Sequence, residues 1–308
     1  MIRSVVHRRA VALVALALAA SACGGDDPSV RAAQADKPVV ITALHPLAEA
    51  VEQVAGDAVV VIDLVPVGES PHELELTARQ RDEIAAADLA IVLGKGFQPE
   101  VEREAARRDG PTLDVLAALG LPDRPGGHPG PVEPHVWLDP TIMGTIVTTI
   151  AEEVAALLPG DASAVDRRAD RIVERYVELD AQLRQGLRSC AREVIASQHE
   201  AFGWFAARYG LTNVGFDAAL PDDDPAPDPD MAADVAGLLE DGSVRTIFTD
   251  TLTPSGFLEQ IADEERVEIA VLNPYEGLTP REVAVEATYR SVLLYDLAAL
   301  QDALECSE

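Results

Sequence analysis

Short apolar runs and amphipathic stretches alternate along the first third of the chain. The runs Val39–Leu44, Val59–Val65 and Leu89–Leu93 have the length and composition of buried strands. Between them, Leu47–Ala55 and a segment from Thr77 to about Ala87 have the polar and apolar spacing of helices. Continuously apolar strands are typical of a parallel sheet covered on both faces, so this pattern predicts an α/β lobe.

A long amphipathic helix follows a predicted helix at Thr141–Leu158. Its apolar positions recur at steps of four and three, with no Pro or Gly before Gly186: Val165, Ala169, Ile172, Tyr176, Leu179 and Leu183. At ~1.5 Å per residue, such a helix extends about 40 Å. A coiled-coil seam has a similar pattern, but the stretch is too short to favour one. We therefore expect one helix that runs the height of a two-lobed molecule.

The strand and helix alternation then resumes and predicts a second α/β lobe. The predicted elements are strands at Glu193–Ser197, Asn213–Phe216, Thr246–Thr249 and Glu268–Leu272, helices at Phe202–Tyr209, Met231–Glu240 and Gly256–Ala262, and a closing helix at Val283–Leu304. The expected organisation is an N-terminal lobe over 38–160, a linking helix over 161–189 and a C-terminal lobe over 190–308.

The N-terminus has the features of a secretory signal over residues 1–22. A basic segment precedes the apolar run Val11–Ala20, which is too short to span a membrane, and small residues lead directly into Cys23. A Cys in this place resembles the lipid-carrying Cys of a bacterial lipobox, and ordinary cleavage near Ala22 is the alternative. We expect an extracytoplasmic protein anchored by a lipid on Cys23, with residues 23–37 as a tether.

Composition narrows the possible partners. The net charge is −29, and a nucleic-acid binder needs a basic face, so nucleic acid is excluded as a partner. Acidity attracts cations over a long range, although it also serves simply to keep a secreted protein soluble. The remaining cysteines, Cys190 and Cys306, form an even pair in an oxidising compartment, which predicts a disulfide rather than two buried thiols.

Three histidines occupy comparable places in the pattern. His72 lies beyond the strand Val59–Val65, His199 follows the strand ending at Ser197, and His135 lies in a loop before the helix Thr141–Leu158. Ligand sites in open α/β sheets lie beyond the carboxyl ends of strands. Imidazole nitrogens suit zinc, and their protonation predicts weaker binding below about pH 6. Each histidine taken alone is equally a loop or core residue.

The segments around these histidines resemble the zinc- and manganese-binding lipoproteins of bacterial ABC importers, the cluster A-I solute-binding proteins. The most specific matching segments are His135-Val136-Trp137-Leu138-Asp139-Pro140 and His199-Glu200-Ala201-Phe202-Gly203-Trp204-Phe205, supported by Ser70-Pro71-His72-Glu73 and Gly94-Lys95-Gly96-Phe97. The resemblance covers nearly the whole mature chain. It implies two α/β lobes joined by a rigid helix, with the metal between them and His72, His135 and His199 as ligands.

The fourth ligand departs from the family pattern. The family commonly has an Asp in a segment like Leu272-Asn273-Pro274, where this chain has Asn273, a neutral and weaker ligand. Three neutral imidazoles leave the charge of the ion uncompensated, which is costly in a dry cleft. We expect Glu276, or a water that it holds, to complete the site, with Asp250 as the second candidate. The alternative is that Glu276 is a solvated loop residue.

The resemblance implies a binding protein that delivers a divalent metal to an ABC permease, as a monomer. Zinc is favoured over manganese, since manganese prefers oxygen ligands. A zinc enzyme is the first alternative, but the chain has no His-Glu-x-x-His helix and no Gly-x-Ser-x-Gly elbow. An adhesin lipoprotein with a structural metal is the second.

Overall fold

A computed structural model describes residues 37–127, 130–215, 237, 239, 242–252 and 267–307. The predicted signal segment, Cys23 and nearly all of the tether lie outside these ranges. So do the predicted helices Met231–Glu240, apart from residues 237 and 239, and Gly256–Ala262.

The N-terminal lobe is built on a four-stranded parallel sheet. Its strands lie in the order β2-β1-β3-β4 and are β1 Val39–Thr42, β2 Val60–Asp63, β3 Leu89–Val92 and β4 Thr112–Asp114. The strand β3 is buried along its whole length, as expected for a strand with helices on both faces. The apolar pattern predicts the first three of these strands but not β4, which has only three residues.

The C-terminal lobe repeats this arrangement. A second parallel sheet has the order β6-β5-β7-β8, with strands β5 Val194–Ser197, β6 Thr212–Gly215, β7 Thr246–Thr249 and β8 Glu268–Val271. The prediction of an α/β protein with two lobes of parallel sheet is confirmed.

Nine helices of five or more residues have defined bounds in the described part of the chain. They are α1 His45–Ala55, α2 Ala78–Ala86, α3 Pro99–Ala105, α4 Val115–Leu119, α5 Pro140–Leu157, α6 Ala162–Gly186, α7 Gly203–Tyr209, α8 Pro280–Ala284 and α9 Tyr289–Ala303. A capping box between Thr77 and Gln80 begins α2. None of the described helices combines the length and apolarity that a membrane span requires.

Helix α6 links the two lobes. Its buried residues are the six of the predicted stripe, from Val165 to Leu183, and they belong to one core that contains residues of both sheets and their helices. From α7, Arg208 donates two hydrogen bonds of 2.9 Å to Asp180 on α6. The linking helix is therefore packed into both lobes, which favours a rigid relation between them.

The C-terminus differs from the single closing helix predicted over Val283–Leu304. The structure has two helices there, α8 and α9, because Glu286 adopts a positive φ of 51° between them. Thr288 then begins α9 through a capping box with Ser291. Beyond α9, Cys306 is bonded to Cys190, which confirms the expected disulfide.

Candidate metal centre

The predicted histidines are brought together by short segments at the ends of strands. His72 lies in a single 3-10 turn, Pro71–Glu73, after β2, where Ser70 accepts a hydrogen bond from its backbone N–H. His199 follows β5 by two residues, and His135 precedes the turn Val136–Leu138 that leads into α5. Glu276 follows β8, so three of these four side chains lie beyond the carboxyl ends of parallel strands.

One potential ligand atom from each of His72, His135, His199 and Glu276 lies within 4.8 Å of the other three. Glu276 Oε1 is 3.0 Å from His72 Nε2, 2.9 Å from His135 Nε2 and 3.9 Å from His199 Nε2. The centroids of the three imidazole rings are 4.8 to 5.7 Å apart. The group is therefore compact enough for all four atoms to reach one small cation.

The four side chains differ in their exposure to solvent. Glu276 and His135 are buried, with 2% and 3% of their surface exposed. His199 is partly buried, whereas the side chain of His72 is 35% exposed. An ion held by all four would thus be reached from solvent on the side of His72.

Carboxylates orient two of the three imidazoles. Glu133 Oε1 lies 2.6 Å from His135 Nδ1 and also accepts the backbone N–H of His135. Asp250 Oδ2 lies 3.3 Å from His199 Nδ1. A carboxylate that accepts the Nδ1 proton leaves Nε2 as the basic nitrogen, so both rings present the correct atom to a metal.

Contacts with Gln98 and Phe97 hold the segment that carries His72. The buried side-chain amide of Gln98 donates to the carbonyl oxygens of Ala43 and Pro71, at 2.8 and 3.0 Å. The ring of Phe97 packs against His72, with the centroids 4.7 Å apart. Although His72 is exposed, its backbone is therefore held by the N-terminal lobe.

His135 Nε2 is a buried nitrogen without a hydrogen-bond partner. Glu276 Oε1 is close to it, but the two groups do not have the alignment of a hydrogen bond. Buried polar atoms are nearly always satisfied, and a metal ion among the four side chains would satisfy this one. Three imidazole nitrogens and one carboxylate oxygen are a donor set that suits tetrahedral zinc.

Without a metal, the surroundings of the four side chains favour a protonated imidazole at His135 and an ionised carboxylate at Glu276. Burial lowers the pKa of His135, but the adjacent carboxylates of Glu133 and Glu276 outweigh it and raise that pKa to about 9. Burial raises the pKa of Glu276, but the adjacent imidazoles of His135 and His72 outweigh it and lower that pKa. For His199, burial is likewise opposed by Asp250, and the pKa is raised. At neutral pH a proton therefore occupies the imidazole of His135, which a metal would use.

Because protons compete with the metal for these imidazoles, the metal affinity should depend on pH well above the value of about pH 6 expected for ordinary histidines. Because His135 carries a proton below about pH 9 in the metal-free protein, each metal ion bound at pH 7 must displace that proton. We expect affinity to rise about tenfold per pH unit between pH 7 and pH 8.5. Calorimetry in buffers of different ionisation enthalpy should find at least about one proton released per ion at pH 7. An affinity independent of pH in this range would contradict this expectation.

The other two predicted candidates, Asn273 and Asp250, lie outside the group of four ligand atoms. Asn273 is buried, with its amide oxygen accepting the backbone N–H of Tyr275 at 2.8 Å and its amide nitrogen donating to Glu282. Its side chain therefore shapes the turn before Glu276. Asp250 contacts His199 as described and accepts the backbone N–H of Leu252.

Glu133 is not among the site residues predicted from the sequence. Its position two residues before His135, in Glu-Pro-His, is a local signal that would have suggested a carboxylate orienting the imidazole.

The chain is similar in sequence to known zinc-binding proteins. The chain is 27% identical over 279 residues to the zinc-binding lipoprotein AdcA of Streptococcus pneumoniae, strain R6, covering 85% of this chain but 55% of the relative. It thus spans about half the length of that protein. It is 26% identical over 310 residues to the high-affinity zinc uptake system protein ZnuA of Bacillus subtilis, covering 95% and 96% of the two chains.

A solved structure extends the likeness to the fold. The Zn(II)-bound ZnuA-like domain of Streptococcus pneumoniae AdcA superposes with a TM-score of 0.74 at 26% identity, covering 87% of this chain and 99% of that domain. The family model described as ZnuA, zinc-uptake complex component A periplasmic, matches residues 40–303. Since that match spans most of the chain, the protein belongs to the ZnuA family of zinc-uptake components.

Proposed function

We propose that this protein is an extracytoplasmic solute-binding protein that captures one zinc ion between its lobes and delivers it to an ABC permease. The observation that carries the proposal is the group His72, His135, His199 and Glu276, whose ligand atoms lie within 4.8 Å of one another. The names of the relatives, a zinc-binding lipoprotein and a zinc uptake protein, agree with it.

The donor set supports zinc as the cargo and manganese as the weaker alternative. Three imidazoles and a single carboxylate satisfy zinc in tetrahedral geometry. Manganese prefers oxygen ligands, and only one of the four side chains supplies an oxygen.

The same geometry supports a binding protein rather than an enzyme. A catalytic zinc keeps a coordination position open for water or substrate, whereas a closed site has four protein ligands. Here Glu276 Oε1 lies within 4 Å of all three Nε2 atoms, so in this proposal Glu276 would fill the fourth position.

We place the protein at the outer face of the cell membrane in this proposal. It would act there as a monomer. Cys23 follows Ala20-Ser21-Ala22 and would carry the lipid, and residues 23–37 would be the tether between the membrane and the lobes. The name of the Streptococcus pneumoniae relative, a lipoprotein, agrees with this assignment.

Calorimetry on the chelator-stripped protein tests the binding step. We expect one zinc ion per chain, bound at least about 100-fold more tightly than manganese, because three of the four donors are imidazoles. The variant H135A should lose most of this affinity. Equal affinities for the two metals would refute zinc as the preferred cargo. Delivery is tested in cells that lack this chain, where the wild-type protein but not H135A should restore zinc import.

A further inference from the structure

Glu49 is a carboxyl group buried in the N-terminal lobe, away from the group of metal-ligand atoms. It lies in the middle of α1 and is only 8% exposed. A buried carboxyl group is costly unless its oxygens are hydrogen-bonded. Its partners therefore indicate what it does.

Both oxygens of Glu49 have partners, and two of these partners belong to the C-terminal lobe. Oε2 accepts the hydroxyl of Tyr275 at 2.8 Å and the backbone N–H of Tyr289 at 3.0 Å. Oε1 accepts the side-chain amide of Gln53, one turn along α1, at 2.6 Å.

Tyr275, which directly precedes Glu276, has an unusual backbone conformation. Its φ is 56°, in the left-handed region that is costly for a residue with a bulky side chain. Tyr275 is fully buried. Such a conformation persists only where surrounding contacts impose it, and the hydrogen bond from its hydroxyl to Glu49 is one of them.

Helix α1 holds this segment at a second point. The backbone N–H of His45, the first residue of α1, donates to the carbonyl oxygen of Glu276 at 3.1 Å. His45 and Glu49 are four residues apart, so they lie on the same face of the helix. The first turns of α1 therefore hold the side chain of Tyr275 and the backbone of Glu276 together.

The contacts extend to the loop that carries His135. Tyr289, whose N–H is bound to Glu49, donates its hydroxyl to the carbonyl oxygen of Trp137 at 2.6 Å. The indole of Trp137 in turn donates to the carbonyl oxygen of Pro274 at 2.8 Å. The segments of His135 and Glu276 are thus tied to each other and to Glu49.

We infer that Glu49 is a positioning residue, which fixes the backbone at Tyr275 so that Glu276 presents its carboxylate to the three imidazoles. This inference rests on the proposed role of Glu276 as a metal ligand. Without an acceptor at position 49, the Tyr275 hydroxyl and the Tyr289 N–H would be left unsatisfied in the core. The segment would then relax toward ordinary dihedral angles and displace Glu276.

The test compares E49L with E49Q. Leucine has a similar volume but no acceptor, so we expect E49L to bind zinc about 10- to 100-fold more weakly than the wild type, the usual effect of losing a group that orients a ligand. Glutamine retains an acceptor oxygen for Tyr275, and E49Q should stay within about threefold of the wild type. Cobalt(II) supplies a second readout, because its visible spectrum reports coordination geometry. That spectrum should change in E49L and be restored in E49Q.

Two further variants separate positioning from stability. Y275F removes the same hydrogen bond without touching α1, and should weaken zinc binding about 3- to 10-fold even if E49L does not fold. L300A removes a fully buried side chain of α9, roughly 16 Å along the helix from Tyr289. It should destabilise the protein while leaving zinc affinity and the cobalt spectrum unchanged.

The outcomes distinguish this inference from the function on which it rests. Wild-type affinity and spectrum in both E49L and Y275F would overturn the role of Glu49 and leave the proposed function intact. Absence of tight zinc binding in the wild type would overturn the proposed function instead. Altered spectra in E49L and L300A alike would show that Glu49 acts through stability alone, which also refutes positioning.

Discussion

The variant E276Q should bind zinc about 100-fold more weakly than the wild type, or weaker still. Glu276 is the only carboxylate among the four side chains of the group and is 2% exposed. Replacing it with a neutral amide leaves a doubly charged ion among three neutral imidazoles in a buried site, where uncompensated charge is costly. Removing a carboxylate that only orients a ligand usually lowers metal affinity about 10- to 100-fold. Removing a ligand should therefore lower the affinity by more than that.

Competition with a chromogenic chelator at fixed pH measures this effect. The matched control is E69Q, which removes a carboxylate from an exposed residue of the segment that packs near Gly277. E69Q should bind zinc as the wild type does. An affinity in E276Q within about threefold of the wild type would remove Glu276 from the site.

The second large effect concerns stability rather than binding. Replacing Cys190 and Cys306 with Ser should lower the free energy of unfolding by about 4–5 kcal/mol, because the bridge closes a loop of more than a hundred residues in the unfolded chain. Urea denaturation of the metal-free protein measures this loss. Either single replacement should lower the free energy of unfolding about as much as the double replacement, since each breaks the same bond.

Zinc affinity should be nearly unchanged in the disulfide variants. Cys190 lies before β5 and His199 after it, so the length of this strand, on the order of 10 Å, separates the bridge from the site. Unfolding midpoints equal to that of the wild type would contradict the stabilising role. So would two free thiols in the unreduced mature protein.

Periodicity predicted most of the framework because the features concerned are local. Each predicted strand of the first lobe is a predominantly apolar run, and the stripe from Val165 to Leu183 follows one face of a helix. The break between α8 and α9 was not predicted, because it depends on the positive φ of Glu286 and on a cap formed by Thr288 and Ser291. Neither feature interrupts the apolar spacing.

The candidate site was predictable to the extent that it lies at strand ends. His72, His199 and Glu276 each follow a predicted strand, and parallel strands end at one edge of their sheet. The role of Glu49 could not be predicted in this way. Its partners Tyr275 and Tyr289 are 226 and 240 residues away, and a charged residue within a helix usually faces solvent. Only the packing of the two lobes reveals this connection.

In the proposed site, one zinc ion is held by His72, His135, His199 and Glu276. X-ray diffraction from crystals of the zinc-loaded protein, recorded on both sides of the zinc absorption edge, tests it most directly. We expect a single anomalous peak at about 2.0–2.2 Å from the Nε2 atom of each histidine and from a carboxylate oxygen of Glu276. A zinc peak coordinated by other side chains, or no peak among these four, would contradict it.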